Sequence, residues 1–279
     1  MTEPVSLSFL EEKAAMVWRK TIALHGLAPE TRLASSLSPV EIFVCLYYGG
    51  IIRYNAASPM DDSRDRVIIS KGHGSVSMYP ILADTGFFPE KELENICRKG
   101  SILGGIPDPV IPGYETVNGS LGHGPGVGCG IAVGLKAKSL DSRVFVMCGD
   151  GELYEGAVWE AVMFAAHHKL NNLVLIVDNN KISMLDYCRN IVDIEPLEKK
   201  FQAFGWDSAV IENGNSISET YPALLNLTEK QRKSERPLAI IANTVKGRGI
   251  PELETNSLCH VMSLKKERVN EILGNDSTV

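Results

Sequence analysis

Residues 144–182 read VFVMCGDGELYEGAVWEAVMFAAHHKLNNLVLIVDNNKI, and their order decides the fold. Residues 144–148 form a continuous apolar run, as expected of a strand buried on both faces. Residues 155–168 are rich in alanine and predict a helix, and 173–177 are a second apolar run. Strand, helix and strand over this length make a βαβ crossover, with parallel strands and a right-handed connection. Both strands then end at the same carboxyl edge, about 4.8 Å apart if they are neighbours. Gly149-Asp150-Gly151 leaves the first strand there, and Asp178-Asn179-Asn180 ends the second. Ligands of open α/β sheets bind at that edge. The Asp150 carboxylate and the Asn180 amide oxygen are two hard donors, and the flanking glycines allow close approach to the backbone. Such a pair suits Mg2+ or Ca2+, with phosphate oxygens and water completing the shell. A turn at Gly-Asp-Gly or a cap at Asn-Asn would use the same residues singly. On successive parallel strands they favour a metal–diphosphate site, with Asp178 reading as structural.

Outward from this core the chain alternates in the same way. Apolar residues at helical spacing predict helices over 7–23 and 39–48, with Ser38 as N-cap and Pro39 at the first helical position. Residues 67–69 are a β-branched strand running into Ser70-Lys71-Gly72-His73-Gly74. Helices are expected over 75–85, closed by Gly86, and over 89–97. Residues 101–128 are rich in glycine and proline and predict a long, ordered loop of the kind that carries function. In the helix around its end, Gly126, Gly130 and Gly134 recur every four residues. That spacing bares one face for close packing against another helix, of this chain or of another subunit. A helix near 196–204, a strand near 209–212, a helix near 218–233, a strand over 238–243 and a closing helix over 261–273 extend the pattern. No repeat or linker breaks it, so the expectation is one α/β domain over 1–279.

Composition excludes several classes. The chain has 279 residues, 44% of them hydrophobic, and 28 Lys plus Arg against 34 Asp plus Glu, a net charge of −6. A mildly acidic chain has no general field for nucleic acid or anionic lipid. No apolar run reaches the roughly 18 residues of a membrane span. Residues 1–20 lack the basic-then-apolar order of a signal peptide, which predicts a cytoplasmic protein. Cys45, Cys97, Cys129, Cys148, Cys188 and Cys259 are scattered, without C-x-x-C or nearby histidines, which argues against a zinc site or a disulfide framework. A dinucleotide-binding dehydrogenase is set aside because no G-x-G-x-x-G follows the first apolar strand.

The stretch from Gly149 to Ile182 resembles the thiamine diphosphate signature, GDG followed by NN, in its transketolase form. SKGHG with His73, NGSLGHG with Gly119, Ser120 and Leu121, and TVKGRGI followed by His260, fourteen residues after Lys246, continue the resemblance in family order over nearly the whole chain. The resemblance implies a three-layer αβα fold around a mostly parallel sheet, the thiamine diphosphate-binding fold. It implies Mg2+, or Ca2+ or Mn2+ in its place, on Asp150, Asn180 and the carbonyl of Ile182, with Gly151 and Asn180 at the diphosphate. His73 and His260 would lie near the cofactor and stabilise charge as it adds to a carbonyl. Lys246 would offer a cation to diphosphate or substrate, and Ser35 would lie on the cofactor side. Gly119, Ser120 and Leu121 would cover the aminopyrimidine through backbone groups. Glu155 and Glu160 stand early in the following helix, where acids suit the dipole. In the family their counterparts join an acidic network linking two active sites.

The family's activating glutamate sits on a separate pyrimidine-binding domain, and this sequence ends where the first domain should finish. The resemblance therefore implies the N-terminal subunit of a split enzyme, moving a two-carbon ketol or acyl unit from a small-molecule donor to an acceptor carbonyl. A C-terminal subunit would supply the glutamate in an α2β2 heterotetramer, and the single chain would be inactive. Three departures bear on substrate. Thr31-Arg32 replaces the usual Gly-His, Ile106 replaces the His of Gly-His-Pro, and His123 replaces a Gln. Arg32 is a permanent cation suited to carboxylate or phosphate, whereas Ile106 has no hydrogen-bonding side chain and fits a methyl group. A 2-oxoacid donor such as pyruvate thus stands level with an ordinary ketose phosphate. The other class is a non-catalytic binding or regulatory subunit, disfavoured because such a relic need not keep Asp150 and Asn180.

Overall fold

Five runs of β-branched and aliphatic residues pair into one sheet in a computed structural model that describes residues 5–275. Residues 1–4 and 276–279, the ends of the single-domain expectation and part of the N-terminal stretch read for a leader, lie outside the described residues. The strands are β1 (Arg66–Ile69), β2 (Val144–Gly149), β3 (Leu173–Asn179), β4 (Asp207–Ile211) and β5 (Leu238–Asn243). Every pairing is parallel, in the order β1-β2-β3-β5-β4. The helices are α1 (Leu7–Leu27), α2 (Leu33–Leu37), α3 (Val40–Tyr47), α4 (Met78–Asp84), α5 (His123–Ala137) and α6 (Gly156–His167), then α7 (Cys188–Ile191), α8 (Leu197–Ala203), α9 (Ile217–Gln231), α10 (Pro251–Glu254) and α11 (Lys266–Asn275).

Strand side chains alternate between two apolar layers, as the pleat dictates. Phe145, Met147, Val174, Ile176 and Ile240 join α1, α3, α4 and α9 on one face. Val144, Val146, Leu175, Val177 and Ile241 join α5, α6 and α8 on the other. The architecture is the three-layer αβα sandwich. A third cluster, including Ile22, Leu37, Ile182, Ile250, Leu253 and Val269, fastens α1, α2, α10 and α11 beside the carboxyl edge. No helix among the described residues is long and apolar enough to cross a membrane.

Several local expectations shift. Pro39 rather than Ser38 precedes α3, and Ser38 makes no cap; its hydroxyl turns inward and donates to Asp178 at 2.6 Å. The helix expected over 75–85 begins at Met78, and the one over 89–97 is a 3-10 segment, Glu90–Asn95. The closing helix starts at Lys266 rather than 261, because the preceding residues are held by buried His25, whose Nε2 accepts from the Leu264 amide at 3.1 Å. On α5 a methyl group added at Gly126, Gly130 or Gly134 would meet nothing within 4 Å. No helix of this chain covers that face among the described residues, so the alternative of packing within the chain does not hold.

Candidate functional site

β2 and β3 are neighbours, with Gly149 opposite Asp178, so the two loops at their carboxyl ends lie side by side. Asp150 is buried and caps the start of a 3-10 turn, Gly151–Tyr154, its Oδ1 accepting from the Gly151 amide at 2.7 Å. Its Oδ2 accepts from the Lys181 amide at 2.5 Å, across from the other strand end. Lys181 takes a left-handed backbone (φ 66°), which bends the loop back toward Asp150. Asn180 donates its Nδ2 to Asp178 at 3.3 Å, and its Oδ1 accepts from the Ile182 amide at 3.2 Å. Burial, and then the negative charge of Asp178, pushes the Asp150 carboxyl up to about 6.

Lys246, in the loop after β5, reaches the same place. Its Nζ donates to the carbonyls of Ile182 at 2.7 Å and Ser183 at 3.0 Å. Burial, and then the charge of Lys71, brings the Lys246 ammonium down to about 8. Nζ also lies 3.3 Å from His260 Nδ1, which is 3.3 Å from Ser35 Oγ as well. A protonated lysine has only protons to give, so Nδ1 accepts and the ring proton stands on Nε2. His73, in the 3-10 turn Gly72–Gly74 after β1, sets its ring 4.7 Å from that of His260. Burial and neighbouring cations keep both rings neutral: His73 falls well below the ordinary histidine value and His260 to about 3. Glycine is required beside them, since a Cβ at Gly72 would lie 1.6 Å from the Asn118 carbonyl oxygen.

These groups border one cavity of about 390 Å³. Of the residues singled out in the sequence, Ser35, His73, Gly119, Leu121, Asp150, Gly151, Asn180, Ile182, Lys246 and His260 line it. Ser120 is exposed and lies outside the lining. Glu155 is exposed just before α6, Glu160 is exposed on it, and His123 is exposed at the start of α5, all outside the cavity wall. Arg32 is exposed one helical turn before Ser35, and its charge depresses both His73 and His260. Its guanidinium pairs with no carboxylate among the described residues. Ile106 is 42% exposed, and its Cδ1 would sit 3.4 Å from a methyl group at Gly119, so it flanks the cavity wall.

The sequence reading gave no role to two buried charges of the cavity wall, Glu152 and Lys71, and took Asp178 only as structural. Glu152 accepts from the Gly122 amide at 2.8 Å, the Gly149 amide at 3.1 Å and the Ser70 hydroxyl, stitching the loop after β1 to the start of α5. Lys71 pairs with Asp178. The available signal is charge inside a Gly-rich motif, SKGHG, of which the sequence reading uses only His73. Met184, Leu185 and Ile191 add an apolar wall from the segment after Asn180.

No group of three or more His, Cys, Asp or Glu side chains placed to hold a metal exists among the described residues. A cation here would depend on a mixed set of one carboxylate, one amide oxygen and one carbonyl. The site fits that set. Asp150 is a buried carboxylate with no ion pair among the described residues, destabilised by a second carboxylate nearby, and a divalent ion would supply the missing positive charge.

The family description "Transketolase, thiamine diphosphate binding domain" matches residues 35–276. One of the subunits of the apulose-4-phosphate transketolase of Actinobacillus succinogenes is 36% identical over 255 residues, covering 90% of each chain. Transketolase of Rattus norvegicus is 38% identical over 268 residues, 96% of this chain but 42% of that one. The crystal structure of transketolase from Campylobacter jejuni superposes with a TM-score of 0.88 at 29% identity, covering 97% of this chain and 43% of that one. The chain thus matches the Actinobacillus subunit over nearly its full length but spans about two-fifths of the longer transketolases.

Proposed function

The chain belongs to the transketolase family through its thiamine diphosphate-binding domain, and on that premise we propose that it is the N-terminal subunit of a split, Mg2+-dependent transketolase. The observation that carries this is the meeting of Asp150, Asn180, the Ile182 carbonyl, Lys246, His73 and His260 at one cavity, from loops after four different strands. Asp150, Asn180 and Ile182 hold the divalent ion, Mg2+ by preference with Ca2+ or Mn2+ as substitutes. Gly151 lets the diphosphate approach the backbone, and Lys246 supplies a cation to it. Thiamine diphosphate, when bound, supplies the carbon nucleophile that attacks the donor carbonyl.

The neutral His260 presents its Nε2 proton, and His73 stands beside it, so both can donate a hydrogen bond where negative charge develops on the donor oxygen. Ser35 holds the His260 ring in place. Met184, Leu185 and Ile191 give the cavity one apolar side. Gly119 and Leu121 cover the aminopyrimidine on this reading, with Ser120 outside the cavity wall. On this reading residues 1–279 are a single diphosphate-binding domain. Among the described residues the one glutamate lining the cavity is Glu152, already committed to two amides and a hydroxyl, so none is placed to activate the aminopyrimidine. The name of the Actinobacillus relative, one subunit of a transketolase, supports a partner subunit, and on this reading the partner would bring that group. The open face of α5 and α6, with Val127, Val133, Met163 and Phe164 exposed near the glycine stripe and Glu155 and Glu160 beside them, is the surface on which an α2β2 assembly would form. The reading carries with it a cytoplasmic location and small-molecule substrates, without nucleic acid or membrane.

The donor on this reading is a ketose phosphate, in line with the Actinobacillus relative's name. Arg32 and Ile106 favour a second reading, a 2-oxoacid whose carboxylate meets the unpaired guanidinium and whose methyl meets the isoleucine. The test is co-expression with the product of the adjacent gene and an assay of ketose phosphates against 2-oxoacids. Turnover only by the pair, requiring Mg2+ and thiamine diphosphate, is expected; turnover by this chain alone refutes the split assembly. Pyruvate used better than every ketose phosphate selects the second reading.

A further inference from the structure

The floor of the cavity contains an ion pair to which the proposed reaction gives no role. Lys71 is 1% exposed and Asp178 0%. Lys71 leaves the end of β1, and Asp178 stands near the end of β3. Asp178 Oδ2 accepts from Lys71 Nζ, from Ser38 Oγ at 2.6 Å and from Asn180 Nδ2 at 3.3 Å. Its Oδ1 accepts from the Thr244 hydroxyl, just past β5. One carboxylate therefore joins the α2–α3 junction, three strand ends and the loop bearing Asn180.

An asparagine amide can turn over, exchanging oxygen for nitrogen at little cost where its surroundings are indifferent. Here they are not indifferent. Asp178 Oδ2 is an acceptor for Lys71, Ser38 and Asn180 alike, so the atom that Asn180 turns toward it is the donor Nδ2. The oxygen is left at the other end, toward Ile182 and the cavity. Lys71 and Ser38 hold Oδ2, and Thr244 holds Oδ1, so the oxygens of Asp178 are taken up within the floor and are not free to join the ligand set beside Asp150. We propose that the Lys71–Asp178 pair is a positioning device that presents the Asn180 amide oxygen to the divalent ion and withholds the Asp178 carboxylate from it. The inference rests on the proposed metal site and adds how that site is kept in its binding orientation.

The test uses the full chain with its partner subunit. Mn2+ binding is followed by electron paramagnetic resonance and Mg2+ binding by calorimetry, both with thiamine diphosphate present. Pyrophosphate binding without metal and the thermal midpoint are measured alongside. Lys71→Met/Asp178→Asn removes both charges with little change of volume. It is expected to fold and bind pyrophosphate as the wild type does, yet to bind Mn2+ and Mg2+ about tenfold or more weakly, the size expected when a hydrogen bond to a charged group is lost. A purely structural pair would lower the midpoint and leave metal affinity unchanged in the folded fraction. Asn180→Asp is the second variant. It adds a charge to the ligand set but sets it against Asp178, so metal affinity is expected to fall rather than rise. Wild-type metal affinity in the double variant, or tighter binding in Asn180→Asp, overturns the inference. If the double variant does not fold, Asn180→Asp decides alone. A wild-type complex that binds thiamine diphosphate without any need for metal overturns both this inference and the metal-dependent reading, whereas failure of the variants with a metal-dependent wild type overturns only the inference.

Discussion

His25 shows how a residue with catalytic chemistry can serve the fold alone. Its Nδ1 lies 3.0 Å from Thr31 Oγ1, and its Nε2 accepts from the Leu264 amide, tying the end of α1 to the approach to α11. Burial lowers its pKa below 6.5, its ordinary value. The unfolded chain therefore binds more protons at mildly acidic pH, and the stabilisation His25 provides is complete above pH 6.5 and shrinks as pH falls below it. Denaturant titrations of wild type and His25→Asn are expected to show a constant gap above that pH and a narrowing gap beneath it. A gap that widens on acidification would refute the neutral, buried assignment. The same burial marks His73 and His260, but those two face a cavity. That distinction was legible for them because each sits in or follows a Gly-rich motif. It was illegible for His25, whose partner Leu264 is separated from it by more than two hundred residues.

At the scale of elements, the apolar runs of β2, β3 and β5 were readable because both of their faces are covered, so no polar residue interrupts them. The boundaries of α4 and α11 were not, since each is set by tertiary contacts rather than by local propensity. Ser38 carried every local mark of a cap, yet a buried carboxylate drawn from β3 takes its hydroxyl away from the backbone. The glycines of α5 separate in the same way. A methyl group at Gly128 would lie 2.7 Å from Val146 Cγ2, beneath the helix, while Gly130 opens to free space. Gly128→Ala is expected to cost about 1–3 kcal/mol by overpacking. Gly130→Ala should instead stabilise the isolated chain by about 0.5–1 kcal/mol through helix propensity. Urea denaturation of the two variants checks both signs. Gly130→Leu should fold equally well but fail to copurify with the proposed partner subunit, and unimpaired copurification would remove the α5 face from the proposed interface.

For the molecule as a whole, ligand and fold are linked because the cavity is assembled from segments 35, 73, 119–121, 149–151, 180–182, 246 and 260, which no partial structure brings together. Ligands held at about a hundred times their dissociation constant stabilise a protein by about 2.7 kcal/mol. Thiamine diphosphate with Mg2+ should therefore raise the thermal midpoint by several degrees, and a chelator should reverse the gain. An equal rise with the chelator present would refute the metal-dependent site. The strand order has a consequence for synthesis on the ribosome. β5, made last, is wedged between β3 and β4, which were made before it. Until residues 238–243 emerge, β3 has one bare edge and β4 has nothing to lie against, so a nascent chain stalled before that point exposes a sticky sheet margin. Translation pauses ahead of residue 238 would thus be moments of need for a holding chaperone, and pauses after 243 would not.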